Sequence, residues 1–494
     1  MQLTSSEGGE VLLPRLNGDI FAHMLEFADR SDLLTMMKTC QLLQDLAIVP
    51  LLKYHGIFME INSANLGSFL AWMHRDSPRR YLLLRILDLS ELEPLLGPLH
   101  IDDDLKHALV SFLKRLVNLE TLMLFSSSRI FRACPDVMDA IASLTRLRSL
   151  TIWEPWERVS DFLQRLQSPL SELSVQEGYK FYGVRPPVHL LAENLSGCVE
   201  HLSLYGYRGV CSNSDVQFVK VTSLCLTDNH SDDLHTANLA WIFPNLTSLT
   251  LRTNVLTFSA YDNDRRANIS AQKQPNSRWH HLNFLSGHVV ICYVLAPRCQ
   301  ITSLALESVG SEDSDLQYCA TVLTDAKPVN LFLRWNRNGD FILPLLPSVV
   351  TDNLRHLELE LWYDAETKKI GDRISPEHFC TVMRPFSNLT FLRFTIMRHD
   401  NSSSTDAYLA WNSEVQESVF STLSETLTSV CHFVLELGGP EFTTIWRSAP
   451  PRAGSKAVVE QLSPQQGQTV LLEGDKLFRH LRQGSNHLYH VVIH

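Results

Sequence analysis

The strongest constraint on the fold is a short pattern that recurs along most of the chain. Its clearest copy spans residues 243–254 and reads Phe-Pro-Asn-Leu-Thr-Ser-Leu-Thr-Leu-Arg-Thr-Asn. Leu249 and Leu251 alternate with polar residues, which is the two-residue period of a strand with one buried face. Residues 234–242 before it have helical character, and Pro244 closes this predicted helix. The sequence therefore predicts a helix followed by a strand as the repeating unit.

The same pattern, L-x-x-L-x-L-x-x-N, resembles a leucine-rich repeat, and most of its spacings fall within the roughly 20–29 residues of such repeats. The middle apolar residue recurs at Leu87, Leu122, Leu150, Leu173, Leu202, Leu224, Leu249, Leu282, Leu304, Leu331, Leu357, Leu392, Phe433 and Val491. Parallel neighbours need a long connection, usually a helix. The expected fold is α/β, an irregular leucine-rich-repeat solenoid with a parallel strand layer and helices on its convex side.

Departures from the pattern indicate irregularity. The Asn at its end is present as Asn229, Asn254 and Asn336 and is replaced in most other copies. Wide intervals near the C-terminus indicate insertions. The polar stretches 259–277, 400–406 and 449–467 are expected to be surface loops, of which a minority carry recognition.

Residues 11–56 differ from the repeats and predict two or three short helices. Ile20, Met24 and Phe27 recur at helical spacing, Asp19 is a plausible helix N-cap, and Ser31 is a plausible cap for a second helix. These helices carry more apolar surface than they can bury among themselves. One interpretation is a cap over the open end of the solenoid.

This stretch also resembles an F-box. The resemblance rests on Leu13-Pro14, Asp19-Ile20, Leu25, Asp32-Leu33-Leu34 and Thr39-Cys40, while Gln41-Leu42-Leu43 stands where the family often has Trp or Arg. It implies docking onto a Skp-type adaptor and, through it, a cullin. The adaptor-binding residues that it implies are Leu13, Pro14, Leu16, Ile20, Leu25, Leu33 and Leu34.

The expected domain order follows from these two patterns. Residues 1–10 are expected to be disordered, 11–56 to form the F-box-like helical module, and 57–83 to be a connecting helical segment. Residues 84–494 then form the leucine-rich-repeat-like solenoid with its C-terminal insertions.

Charge and cysteine usage restrict the class of partner and the compartment. The formal net charge is −11, which argues against nucleic acid as a partner, and the pairs Arg79-Arg80 and Arg265-Arg266 are expected to be solvated. No apolar run is long enough to span a membrane, and the N-terminus lacks the features of a signal peptide. The ten cysteines contain no C-x-x-C. A reduced protein of the cytoplasm, the nucleus or both is expected.

The sequence contains no specific catalytic or metal-binding pattern. His280 and His281 are adjacent, so in a strand they face opposite ways. The acidic run 102–104 lies at a predicted helix start, where the helix dipole favours negative charge. No nucleophile elbow or phosphate-binding glycine motif occurs. The protein is therefore expected not to be an enzyme and to use no cofactor or metal.

Polar and aromatic residues that alternate with the buried strand leucines are the candidates for target binding. Exposed aromatic and arginine side chains on a rigid wall are typical binding anchors. The candidates on this concave wall are Trp153, Tyr205, Arg252, Arg334 and Trp362. A closely packed wall would instead bury the aromatic side chains against their neighbours, and the sequence leaves both possibilities open.

Three functions fit these features to different degrees. The leading hypothesis is a non-catalytic substrate receptor of a cullin-type (SCF) ubiquitin ligase, with an unknown protein target. The alternative is a leucine-rich-repeat scaffold unrelated to ubiquitin, whose first helices only cap the solenoid. An enzyme assembled from loops is the weakest hypothesis. An exposed apolar face on residues 13–43 favours the first, and a face buried wholly against residues 57–120 favours the second.

Overall fold

The structure is a computed structural model that divides into two compact units, Met1–Phe181 and Tyr182–His494. The sequence did not predict a boundary there. The structure describes residues 18–58, 63–75, 78–89, 103–124, 131, 134–153, 159–176, 193–205, 216–227, 234–252, 261–274, 277–309, 313–336, 348–363, 376–398, 412–437, 443–449, 458–472, 474 and 476.

The first unit alternates helices with short strands. Its helices are α1 (Gly18–Leu25), α2 (Arg30–Met37), α3 (Gln41–Pro50), a π-helical turn (Leu51–His55), α4 (Ser63–His74), α5 (Arg79–Leu83), α6 (Asp103–Arg115), α7 (Pro135–Ala142) and α8 (Val159–Arg165). Its strands are β1 (Ile57–Phe58), β2 (Ile86–Leu89), β3 (Thr121–Leu124), β4 (Ser149–Trp153) and β5 (Glu172–Gln176). Helices α4 and α5 fall in the predicted connecting segment, but that segment begins with strand β1, which the sequence did not predict.

The strands of the first unit pair in parallel and in chain order. Leu87, Leu122, Leu150 and Leu173 are register partners, so the predicted central leucines form one ladder across β2 to β5. Each of these leucines is buried. The intervening residues of β2, β3 and β4 are half-buried, as expected for a sheet with one face in the core.

The second unit continues the alternation with longer strands. Its helices are α9 (Glu193–Ser196), α10 (Thr236–Ile242), α11 (Tyr261–Ala271), α12 (Val289–Leu295), α13 (Asp313–Ala326), α14 (Ser348–Asn353), α15 (Pro376–Met383) and α16 (Ser413–Thr426), and residues 464–472 are also helical. Its strands are β6 (His201–Tyr205), β7 (Ser223–Thr227), β8 (Ser248–Arg252), β9 (His281–His288), β10 (Gln300–Val309), β11 (Asn330–Asn336), β12 (His356–Tyr363), β13 (Phe391–Arg398), β14 (His432–Leu437), β15 (Thr443–Ala449) and β16 (Val458–Gln461).

Strands β6 to β14 are parallel, and their helices cover the leucine side. The register ladder contains Leu202, Leu224, Leu249, Leu285, Leu304, Leu331, Leu357, Leu392 and Phe433. Phe420 of α16 lies against Phe433, with ring centroids 5.2 Å apart. We call this side the helix face and the other side the opposite face. The predicted strand residue Val491 lies outside the described residues.

One predicted strand position was wrong, because Leu285 and not Leu282 stands in the ladder of β9. Gly287 explains the shift, since it takes the position opposite Leu251. A Cβ atom there would lie 2.9 Å from the Leu251 carbonyl oxygen and 3.3 Å from the Cys292 sulfur. Only a residue without a side chain fits this close approach, so the second apolar residue of the pattern is missing.

The parallel prediction fails at the C-terminal end, where β15 pairs antiparallel with β14 and β16 antiparallel with β15. Only residues 438–442 separate β14 from β15. Parallel pairing needs a crossover of about a dozen residues or more, whereas a short connection permits a hairpin. The predicted surface loop 449–467 therefore contains a strand and the start of a helix.

The polar insertion 259–277 is also not a loop, because α11 runs through it. Buried Asn268 holds this helix by bonds to the Thr236 amide at 3.0 Å and the Val294 carbonyl at 2.9 Å. Gln272 bonds to the Ala296 carbonyl at 2.9 Å. Two amide side chains thus satisfy neighbouring backbone groups in place of an apolar stripe.

Each of the two basic pairs that were expected to be solvated contains one buried arginine. The Arg80 guanidinium stacks over the Trp72 ring at 4.5 Å and donates to the Trp72 carbonyl. Arg265 donates to the Tyr293 carbonyl at 2.7 Å and pairs with Asp325. Each guanidinium is neutralised or stacked, which permits its burial.

Asparagines at the start of the repeated pattern connect successive repeats. The side chains of Asn118, Asn245 and Asn388 donate to the carbonyls of Leu82, Val219 and Asp352, at 2.9, 2.7 and 2.8 Å respectively. The repeated pattern has another Asn at its end, present as Asn229, Asn254 and Asn336. Of those, Asn229 and Asn254 lie outside the described residues. The recurring Asn-Leu pair was the signal that the sequence offered.

Candidate functional site

Helices α1 to α3 form a small module with its own core. Leu25, Leu33, Ala47 and Leu51 are buried together, and Phe21 packs against them from α1. Helix α2 begins at Arg30 and its N-cap is Asp29, whose carboxylate accepts from the Asp32 amide at 2.8 Å, whereas the predicted cap was Ser31. This bond lowers the pKa of the Asp29 carboxyl.

The structure separates the predicted adaptor-binding residues into two groups. Leu25 and Leu33 are buried and hold the module together. Ile20 and Leu34 are exposed. Leu13, Pro14 and Leu16 lie outside the described residues.

Three further apolar side chains of the module face solvent. The exposed fractions are 57% for Met24, 79% for Phe27 and 67% for Leu42, beside 55% for Ile20 and 40% for Leu34. We call these five residues the apolar ridge. The spacing of Ile20, Met24 and Phe27 was visible in the sequence, but it marked the solvent side of α1 and not its core side.

The module is joined to the strands of the first unit through the π-helical turn. The Leu52 carbonyl accepts from the Arg85 amide at 3.2 Å, just before β2. Gly56 follows the turn at φ 69°, and a Cβ atom there would lie 2.5 Å from the Ile86 Cβ. Because both the backbone angle and the space favour glycine, this junction is closely specified.

Two of the predicted target-binding residues are in contact in the second unit. Trp153 ends β4 and Arg252 ends β8, and both are half-buried on the opposite face of their strands. Tyr205 ends β6, and its side chain is not described. Arg334 and Trp362 lie close together in β11 and β12.

Glu360 brings Arg334 and Trp362 together. Arg334 Nε donates to a Glu360 oxygen at 2.9 Å, and the Trp362 indole N–H donates to the same oxygen. The Arg334 guanidinium lies 6.0 Å from the Trp362 ring centroid, and Glu307 is 4.0 Å away on the other side. The arrangement is a half-buried ionic and aromatic cluster whose groups are already partnered.

The opposite face becomes buried from β9 onward. Phe284, Ala305 and Phe332 form a buried cluster on this side of β9 to β11. The sequence alone allowed either an exposed or a packed wall on this face. At these strands it is packed, so the predicted concave wall is not a continuous exposed surface.

The buried face continues with charged pairs in β12 to β14. Arg393 bonds both oxygens of Glu436, at 3.0 and 2.6 Å, and Thr395 donates to Glu436 at 2.8 Å. His356 stacks on Phe391 with ring centroids 4.1 Å apart and lies 3.3 Å from Glu358. Arg393 and Glu436 neutralise each other within the fold, and Glu358 lies within hydrogen-bond distance of the His356 ring.

The described residues hold no group of three or more His, Cys, Asp or Glu side chains that could bind a metal ion. Burial raises the pKa of the Cys292 and Cys319 thiols, so both are neutral at physiological pH. Neither thiol is a candidate nucleophile, since the thiolate is the reactive form.

None of the helices in the described ranges has the length and apolar character needed to cross a membrane. No family model and no curated protein matches this chain.

Proposed function

We propose that the protein is a non-catalytic substrate receptor of a cullin-type (SCF) ubiquitin ligase. Helices α1 to α3 would form an F-box-like module that docks a Skp-type adaptor and, through it, a cullin. The strand and helix repeats would form a leucine-rich-repeat solenoid that holds a protein target. Neither role requires a catalytic group.

The observation that carries this proposal is the apolar ridge. The module has a closed core of its own, so these exposed side chains are not needed to hold it together. Fully burying one such side chain is favourable by about 1.5–3 kcal/mol. A group of five on so small a module is typical of a protein-binding surface.

The motif residues add a second line of support. Asp32-Leu33-Leu34 lies within α2 and places one leucine in the core and its neighbour on the surface. Such a division is what a docking helix requires, because it must be held from one side and bound from the other.

The repeat architecture supports the second half of the proposal. Leucine ladders with intervening helices in both units agree with a leucine-rich-repeat solenoid. The described candidates for target binding are Trp153 and Arg252, at the ends of β4 and β8, and Arg334 and Trp362, which Glu360 holds together.

A scaffold unrelated to ubiquitin is the second candidate function. Its support is the junction at the π-helical turn, where the Leu52 carbonyl bonds the Arg85 amide and attaches the module directly before β2. A cap that only closes the end of a solenoid would be attached in the same way.

Capture of a purified Skp-type adaptor by the full chain separates these functions. The parent should retain the adaptor, and Phe27→Glu with Leu42→Glu should abolish retention, because two charges would be buried in an apolar contact. Val117→Glu with Val219→Glu is the matched control, since both valines are exposed outside the module. The parent is compared with an established F-box that captures the same adaptor in parallel. If the parent fails to retain the adaptor, the ligase proposal fails and the scaffold function remains.

A further inference from the structure

A cavity of about 530 Å³ opens at the starts of β9, β10 and β11, within the second unit. It is independent of the apolar ridge and of the half-buried cluster around Glu360. Its lining consists of Arg278, Trp279, His280, Arg298, Cys299, Gln300, Asp325, Ala326, Lys327, Val329 and Asn353. The residues that precede three successive strands therefore meet in one place.

The floor of the cavity is apolar and fixed. Trp279 is buried, and its indole N–H donates to the Phe243 carbonyl at 2.9 Å. The Lys327 backbone follows α13 in the left-handed region, at φ 46°, and its amide bonds the Leu323 carbonyl at 2.9 Å. These two hydrogen bonds anchor Trp279 and Lys327 within the fold.

The rim is cationic. Arg278, Arg298 and Lys327 are exposed, and none of them pairs with a carboxylate among the described residues. Asp325 is the only carboxylate of the lining, and it pairs with Arg265. We call the cavity with these three cations the basic groove. It stands out in a chain whose net charge is −11.

The helix dipole does not account for all three cations. Arg298 and Lys327 follow the ends of α12 and α13, where positive charge is favoured. Arg278 has no such position, since α11 ends at Ala271. A ligand shared by all three cations explains the position of Arg278, which the helix dipoles do not explain.

The remaining lining suits an anion with several acceptor oxygens. Gln300 and Asn353 carry amide N–H donors, and His280 carries a ring nitrogen. Burial raises the pKa of the Cys299 thiol to about 11, so this group adds no negative charge and no nucleophile.

We propose that the basic groove binds a phosphate monoester. Such a group carries a charge of about −1.5 to −2 at pH 7 and three acceptor oxygens. Two planar guanidinium groups and one ammonium match this charge and geometry better than they match a single carboxylate. The phosphate monoester is either a phosphorylated side chain of a protein or a small molecule, and the cavity has room for more than the phosphate alone.

The test uses the purified full chain and a fluorescent peptide of Gly and Ala with one phosphoserine, followed by anisotropy. The parent should bind it at least about tenfold more tightly than the serine twin, since charge-assisted hydrogen bonds are lost with the phosphate. Arg278→Gln with Arg298→Gln and Lys327→Gln should weaken binding by at least about tenfold. Lys114→Gln with Lys220→Gln and Arg384→Gln, also exposed cations, should change it by less than about twofold.

Further measurements distinguish a small phosphate from a phosphorylated protein and check that the variants are folded. If inorganic phosphate and glycerol phosphate bind as tightly as the phosphopeptide, the ligand is a small phosphate; if they compete only weakly, it is a phosphorylated protein. Thermal midpoints check that the triple groove variant is folded. If it is unfolded, the single variant Lys327→Gln replaces it and should weaken binding by about threefold. The proposal fails if the parent binds none of these probes, or if the groove variants bind like the parent.

Discussion

Strands β2 to β4, β7 and β8 bury one face, whereas strands from β9 to β14 bury large parts of both. In the first set, every second residue is buried and its neighbours are half-exposed. In β14, five consecutive residues are buried. The local sequence alternates in β7 and β8, and it also alternates in β12, where His356 and Glu358 are nevertheless buried. Alternation therefore identifies the helix face, but it does not say whether the opposite face is covered.

What covers the opposite face comes from distant parts of the chain. At β13 and β14, Phe391 and Val434 pack with Ile445 and Leu462, and Val470 lies against them from the helical residues 464–472. The antiparallel strands and this helix close the region. Most of that segment lies within the polar stretch 449–467, which predicts a surface loop, so the burial does not follow from the sequence.

The largest expected effect is on the buried pair Arg393–Glu436. Substitution Glu436→Ala removes the carboxylate that Arg393 binds through two hydrogen bonds inside the fold, and breaking a buried ion pair costs about 3–5 kcal/mol. The half-exposed pair Arg85–Glu120, at 2.9 Å, is the matched comparison. Glu120→Ala should cost about 1 kcal/mol or less, because solvent replaces the lost carboxylate. Urea unfolding of both variants measures the difference, and equal losses would mean that the two regions do not differ in burial.

The helix face was largely predictable and the opposite face was not. Leu249 and its ladder partners follow from periodicity, because that signal is local. The shift from Leu282 to Leu285 could not be predicted, since it depends on the contact of Gly287 with Leu251 in the neighbouring strand. Long-range packing decides such positions.

The candidate site shows the same division. The F-box-like motif located the helical module, but it did not separate core residues from surface residues: Leu33 is buried and Phe27 is exposed. The basic groove was missed because Arg278, Arg298 and Lys327 are far apart in sequence. They meet only because parallel strands bring their preceding residues to one edge.

A pH effect of intermediate size is expected at His288, which ends β9. Burial lowers the pKa of this imidazole from 6.5 to about 4, and its Nδ1 accepts from the Val290 amide at 3.3 Å. The unfolded chain therefore takes up a proton first as the pH falls below 6.5, so stability is retained above 6.5 and is lost between 6.5 and 4.

The variant His288→Asn isolates this effect, because Asn can still accept the capping bond and does not titrate. Between pH 7 and pH 5 the parent should lose about 2 kcal/mol more than the variant, from the shift in pKa. Denaturant unfolding at both pH values measures it. Parallel losses in parent and variant would show that the imidazole is as solvated as one in the half-exposed set of strands.

The smallest effects are expected at two register partners, Thr250 of β8 and Ser286 of β9, and they should differ in sign. Thr250 is half-exposed, so Thr250→Ala should change stability by less than about 0.5 kcal/mol. Ser286 is fully buried, and its hydroxyl has no hydrogen-bond partner in the part of the chain that the structure describes. An unsatisfied buried hydroxyl costs about 1–3 kcal/mol, so Ser286→Ala should stabilise the protein by about 1 kcal/mol. Thermal midpoints of the two single variants measure both effects. They test whether the boundary between the half-exposed and the buried opposite face passes between these two strands. A lower midpoint for Ser286→Ala would place water or a polar partner beside that hydroxyl and move the boundary further along the sheet.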